Sequence, residues 1–160
     1  DIQQASLSDM VSDTIGTMLP KARQQNITLK GEVAPDVDMI DMAPDKIQRV
    51  LSNLVDNAIK YTPEGEAVTV RVYCVGDDAR IDIHNSGAYI PKDVLPRLFE
   101  SFYRGERSRM QDGDGVRGTG LGLAIARGFI EAHGGHIWAS SIESDGTTFS
   151  FTLPQRKRHS

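Results

Sequence analysis

Arg117-Gly118-Thr119-Gly120-Leu121-Gly122-Leu123-Ala124-Ile125-Ala126-Arg127 is the stretch whose reading decides the fold. Three glycines at every second position make poor helix interior and poor strand, because each costs conformational entropy and packs nothing. Directly behind them Leu121, Leu123, Ala124, Ile125, Ala126, Phe129 and Ile130 recur at helical spacing. The pattern predicts a glycine turn feeding a helix over about 119–133, ended by Gly134-Gly135. Such a turn suits phosphate. Free N–H groups and the positive end of the helix dipole point at an anion, and the missing Cβ atoms admit it closely. A plain flexible turn before a core helix gives the same pattern.

Two phosphate motifs are excluded. No Lys-Ser or Lys-Thr follows the glycines, and position 123 is leucine where a dinucleotide fingerprint needs a third spaced glycine. The preceding residues, Gln111 to Val116, read as a loop rather than a strand.

The surrounding chain has 160 residues, enough for one domain with a substantial core. Hydrophobic content of 39% and charged content of 25% fit a soluble globular chain. A net charge of −4 makes no case for nucleic acid. The apolar runs are far too short to span a bilayer. A single cysteine, Cys74, excludes an internal disulfide and reads as a small core residue. The opening Asp1-Ile2-Gln3-Gln4 lacks an initiator methionine and a leader pattern, which suggests an excised fragment. The expected domain covers 1–154, with a disordered basic tail over 155–160.

In chain order, apolar residues from Leu7 to Leu19 predict an amphipathic helix over about 6–26, capped by Ser6 or Ser8. Two short strands follow around Ile27–Val33 and Val37–Ile40. Pro44 opens a second helix over about 44–62. On a helical wheel with Asn53 at zero, Asn57 falls at roughly 40°, Lys60 at roughly −20° and Lys46 at roughly 20°. Val50, Leu51, Leu54, Val55, Ala58 and Ile59 fill the adjacent stripe. An ordinary solvated face is the alternative, although asparagine is a poor choice for one. Paired amides beside lysines suit a hard cation and a phosphate chain: the amide oxygen coordinates, and the ammonium meets residual charge.

Alternating residues predict a hairpin of 67–75 with 79–85. At its end stands Asn85-Ser86-Gly87-Ala88-Tyr89-Ile90, where an asparagine can offer both an acceptor and a donor to a planar ligand. A strand-end turn that merely uses Asn and Gly is the alternative. A short helix over 91–101, a mobile lid over 105–117 and a last hairpin around Asp145-Gly146 complete the expected order.

With these parts in sequence, nearly the whole chain resembles the ATP-binding catalytic domain of sensor histidine kinases, within the gyrase, Hsp90 and MutL superfamily. Asn53 to Thr62 is similar to the family's N box and Asn85 to Ile90 to its G1 box. Leu98 to Arg104 is similar to its F box and Gly118 to Leu123 to its G2 box. Four motifs in the right order make the resemblance specific.

The resemblance implies a two-layer α/β sandwich, with helices on one face of a mixed, mostly antiparallel five-stranded sheet and a mobile ATP lid. It implies ATP and Mg²⁺ as cofactors and supplies residue roles. Asn57 would hold the metal, with Asn53 beside it and Lys60 reaching phosphate. Tyr61, Asn85, Gly87 and Ile90 would line the nucleoside end. Gly118, Thr119, Gly120, Leu121, Gly122 and Leu123 would surround the phosphates, and Arg104 would orient the γ-phosphoryl. Asn53, Lys60 and Arg104 are the expected catalytic group.

Two departures stand out: Asn85 occupies a position that is usually Asp, and Tyr89 one that is usually Gly. Hydrolysing relatives carry a glutamate at the position of Asn53, and an amide is no general base. The resemblance therefore implies transfer to a histidine rather than hydrolysis. None of His84, His133, His136 and His159 has the setting of an acceptor. The acceptor is expected on a dimerisation domain of the same parent protein, which would pass the phosphoryl group to a response regulator. The isolated domain is expected to be monomeric, with no nucleic-acid partner. The family further implies a cytoplasmic domain of a parent anchored in the bacterial inner membrane. A non-catalytic nucleotide-binding module of the same fold, and an ATPase of the chaperone or topoisomerase kind, are the rival expectations.

Overall fold

The computed structural model describes residues 1–37, 39–99 and 114–155, with side chains omitted over 114–121. Helix α1 spans Leu7–Gln24. Ser6 caps it, its Oγ accepting the Asp9 N–H at 3.0 Å. Pro20 lies inside this helix and does not end it. Leu7, Met10 and Val11 turn inward at the spacing their periodicity predicts.

Five strands form the main sheet: β2 (Thr28–Val33), β4 (Ala67–Val75), β5 (Asp78–Asn85), β6 (Ile137–Ile142) and β7 (Gly146–Pro154). Their spatial order is β2-β4-β5-β7-β6. The β2–β4 pair is parallel and every other neighbouring pair antiparallel. β1 (Gln3–Ala5) and β3 (Ile40–Met42) form a separate two-stranded sheet, pairing Gln3 with Met42 and Ala5 with Ile40.

Helices α2 (Pro44–Tyr61) and α3 (Asp114–Ala132) pack with α1 on one face of the sheet. Alternation along the strands decides which residues face them. Val68, Val70 and Val72 on β4, Ala79, Ile81 and Ile83 on β5, and Phe151 and Leu153 on β7 are all buried there. From the helices come Ile47, Leu51, Leu54, Ile59 and Ile130, each at most 1% exposed. Full burial of such a side chain contributes about 1.5–3 kcal/mol.

The opposite face is polar. Asp82 accepts hydrogen bonds from Tyr73 Oη at 2.6 Å, Ser150 Oγ at 2.7 Å and Arg80 Nε at 2.9 Å. The Arg80 guanidinium lies 4.9 Å from the centre of the Trp138 ring. Burial alone would raise the Asp82 carboxyl's pKa; the three donors outweigh it and hold the group below the ordinary aspartate value. Burial, then the bond to Asp82, pushes the Tyr73 hydroxyl upward.

The sandwich, the helix over 44–62, the hairpin of 67–75 and the hairpin around Gly146 are found where the sequence places them. Three local expectations are corrected. Cys74 is half-buried rather than core, because it lies at the turn end of the hairpin, with Sγ 3.3 Å from Gln155 Oε1. The expected helix over 91–101 is a turn followed by a 3₁₀ helix, Leu95–Phe99. The third concerns the glycine run. Helix α3 begins at Asp114, so Gly118, Thr119, Gly120, Leu121 and Gly122 are helical rather than a turn before the helix. Each glycine costs about 1 kcal/mol relative to alanine, but one ladder hydrogen bond per residue sustains a helix that tertiary packing holds at its far end. The expected lid over 105–117 lies outside the described residues up to 113, as does the tail beyond Gln155.

Candidate nucleotide site

The site begins on α2, whose inward stripe fixes its rotation against β4 and β5. With Leu54, Val55, Ala58 and Ile59 committed to the core, the amide stripe is forced to the boundary. Asn57 is 8% exposed, almost fully inside; Asn53, one turn earlier, is half-buried. Lys60 is exposed, its Nζ 3.5 Å from Asp56 Oδ2, and the other carboxylate oxygen of Asp56 takes Lys21 Nζ of α1 at 2.7 Å. Tyr61 closes the helix, 47% exposed. Lys46 leaves the stripe: its ammonium sits 5.6 Å from the Phe129 ring centre, at the opposite end of α2.

Helix α3 meets this stripe closely. A Cβ built on Gly122 would lie 2.8 Å from Asn53 Nδ2 and 3.2 Å from its Oδ1. Only a glycine lets the two helices meet there without moving the amide. Leu123, the next residue, is buried at 2% exposure. Asn53 and Gly122 thus stand against one another.

A second wall comes from the end of β5. Ala79, Ile81, Ile83 and Asn85 form one row facing the helices, and Asn85 is its polar end, 4% exposed. The backbone there is held from several sides. Asn85 pairs with Val68 on β4 and Thr147 on β7. Gly146, at φ +124°, approaches so closely that a Cβ would overlap the Asn85 carbonyl oxygen. Ser86 N donates to Ala67 O at 3.0 Å, and Ser86 Oγ donates to Glu66 Oε1 at 2.7 Å.

Gly87, at φ +83°, then rests against the Glu66 side chain. Ile90 N donates to Ser141 Oγ at 2.9 Å, and Thr147 Oγ1 donates to Ala88 O at 3.1 Å. Tyr89 does not have the positive φ that would demand glycine, so its backbone accepts a tyrosine without strain.

His133 ties the two site helices together at their far ends. Its Nε2 accepts the Ala43 N–H at 3.0 Å, and its Nδ1 donates to Phe129 O at 2.7 Å. Ala43 is the N-cap of α2 and has no side-chain cap of its own.

Residues 42–157 match the family described as histidine kinase-, DNA gyrase B-, and HSP90-like ATPase. The chain belongs to this ATPase family. Among curated relatives it is 43% identical over 126 residues to sensor histidine kinase WalK of Bacillus subtilis (strain 168). That match covers 77% of this chain and 20% of WalK. It is 30% identical to adaptive-response sensory kinase SasA of Synechococcus sp. (strain JA-3-3Ab), over 94% of this chain and 39% of SasA. The chain therefore spans well under half the length of these kinases. A solved structure of the catalytic domain of histidine kinase ThkA, 27% identical, superposes with a TM-score of 0.82 over 97% of this chain and 96% of that one. Within the ATPase family, the chain is a catalytic domain of the sensor histidine kinase type.

Placed in this family, the expected site residues separate into three groups. Asn53 and Gly122 are brought into contact between α2 and α3, with Asn57 one turn farther along α2, and Asn85, Gly87 and Ile90 to one strand-end loop. Lys60 and Tyr61 sit at the exposed end of α2. The side chains of Thr119 and Leu121 and the whole of Arg104 fall outside the described residues.

Sequence reasoning missed the Glu66–Ser86 strut, the Gly146 approach and the His133 clasp. The strut joins two side chains, the clasp a side chain to backbone and the approach backbone to backbone, and none of these leaves a period in the sequence. Gly146, in a predicted hairpin turn, was the one with a visible signal.

The residues present fit a magnesium nucleotide. Among the described residues no cluster of three metal-binding side chains exists. Asn57, an amide almost fully buried one turn from the half-buried Asn53 and its neighbour Gly122, is an oxygen donor of the kind such a group takes.

Proposed function

We propose that this domain binds Mg-ATP between α2 and α3 and presents the γ-phosphoryl to a histidine on a dimerisation domain of a longer parent. The observation that supports it most is the contact of Gly122 with Asn53, which sets a helix amide face directly against bare glycine backbone. Asn57 would supply the amide oxygen to Mg²⁺, whose chemistry is to neutralise charge on the phosphates. Asn53 would orient the phosphate chain and Lys60 would meet its outer charge. Gly118, Gly120 and Gly122 would let phosphate approach the α3 backbone, and Arg104 would steady the group in transfer. Asn85 and the Gly87–Ile90 loop would hold the base.

The amide at position 53 supports transfer over hydrolysis, because it cannot take a proton from water. A structure of ThkA in complex with response regulator TrrA supports the wider expectation that such a parent hands its phosphoryl group to a response regulator. Among the described residues no helix is long and apolar enough to cross a membrane.

Isothermal titration of the chain with ADP and a non-hydrolysable ATP analogue, with and without Mg²⁺, tests the site. Saturable, Mg-dependent heat is expected, and its absence refutes the reading. Mixing the chain with a separately purified dimerisation domain and γ-labelled ATP tests the transfer. Acid-labile label on that domain is expected; label retained on this chain, or rapid release of phosphate by the chain alone, refutes it.

A further inference from the structure

We propose that the base end of this site accepts 6-oxo purines as well as 6-amino purines, so that inosine and guanosine nucleotides bind alongside adenosine ones. The inference deepens the nucleotide-site reading and rests on it. Its basis is the contrast between the backbone and the side chain of Asn85.

The backbone is pinned by two strand partners, by Gly146 against its carbonyl, and by the Ser86–Glu66 bond beside it. The side chain is 4% exposed, yet among the described residues it has no hydrogen-bonding partner. Its row-mates Ile83 and Ile81 are apolar, and so is Val68 across the ladder. Thr147, its register partner across the other ladder, has Oγ1 engaged with Ala88 O at 3.1 Å and with Ser141 Oγ at 2.7 Å. The amide is fixed in place while its orientation is not.

A buried amide that no described residue orients presents either end to a ligand at little cost. With its oxygen toward the 6-position it accepts from the 6-amino group of adenine. Rotated by half a turn about its terminal bond, it donates Nδ2–H to a 6-oxo group. A carboxylate at this position has only acceptors. In the same pose it would face the lone pairs of a 6-oxo group and leave both groups desolvated and unpaired, a strongly discriminating situation.

The test is calorimetric titration of the chain with ADP, IDP and GDP, each with Mg²⁺. IDP carries the 6-oxo group without the 2-amino group of guanine, so it isolates the amide's contribution. For the natural chain IDP is expected within about tenfold of ADP. Asn85→Asp is expected to keep or tighten ADP and to weaken IDP relative to ADP by about thirtyfold or more. Rejection of IDP by a hundredfold or more in the natural chain overturns the proposal, whether or not the variant folds. An unchanged IDP-to-ADP ratio in a folded Asn85→Asp chain overturns it equally. IDP bound and GDP refused would uphold it and place a steric clash at the 2-amino group. If none of the three binds, the nucleotide site itself has failed, a result distinct from selective loss of the 6-oxo bases.

Discussion

Replacing Gly122 with alanine should separate the stability of this domain from its ligand chemistry. The residue lies in α3 facing Asn53, and the added Cβ would fall 2.8 Å from Nδ2. That is about 0.6 Å inside ordinary van der Waals contact. The obstructing atom ends a rotatable side chain, so the amide swings away and the helices keep their spacing. An off-rotamer asparagine costs about 0.5–1.5 kcal/mol. Alanine in place of glycine inside a helix returns about 0.5–1 kcal/mol. The two effects oppose one another, and urea unfolding should show a net change within about 1 kcal/mol.

Binding should respond differently. The displaced amide no longer faces the phosphate path, and the new methyl group stands in it. A tenfold or greater loss of affinity for Mg-ADP is expected, equivalent to about 1.4 kcal/mol. Titration calorimetry beside urea unfolding reads both quantities on one preparation. Unchanged affinity in a folded Gly122→Ala chain would refute the placement of the phosphates between these helices. A destabilisation above about 3 kcal/mol would refute the claim that only a side-chain end yields. Asn53→Ala in the same background should relieve the crowding without restoring affinity.

Three further outcomes follow from other contacts. His133→Ala removes the acceptor of the Ala43 N–H, 8% exposed at that residue, and should cost about 1–3 kcal/mol in urea unfolding; a loss below about 0.5 kcal/mol would show the clasp idle. Asp82 has a lowered pKa in the fold, so its stabilisation is full above the ordinary value of 3.8 and disappears as pH falls through the lowered value. Asp82→Asn should therefore lower the melting temperature at neutral pH and shrink the difference from the natural chain in acid; a difference constant with pH would contradict the assignment. Gly16 is an exposed position within α1 whose added Cβ would meet nothing within 4 Å, and Gly16→Ala should raise stability by about 0.5–1 kcal/mol, read as a higher urea midpoint.

The parts of this fold that were legible in the sequence are those with a sustained period. The apolar stripe of α2 fixed its rotation, and with it the boundary position of Asn53 and Asn57. Strict alternation in β4 and β5 gave their hairpin and pointed Asn85 to the helix-facing side. The pairing of β1 with β3 was not legible, since three-residue strands contain too few alternations to stand above noise. Glycine spacing misled at α3, because propensity is a weak local preference and the leucine–isoleucine stripe behind it is anchored by tertiary contacts. At the site, charge partners were also invisible: nothing in the order of residues says that Asp56 is shared by Lys21 of a different helix. Such pairings depend on how helices cross, which a single periodic pattern does not encode.

Among the described residues the last strand in chain order is not an edge of the sheet. β7, ending at Pro154, lies between β5 and β6 and closes on a partner more than sixty residues earlier in the chain. Until β7 emerges, the hydrogen-bonding edge of β5 has no partner and β6 has no neighbour in the main sheet. Removing β7 would part β6 from the other strands instead of trimming the margin of the sheet. A stall before β7 leaves the same unpartnered edge, a substrate for holding chaperones rather than a nearly finished kinase domain.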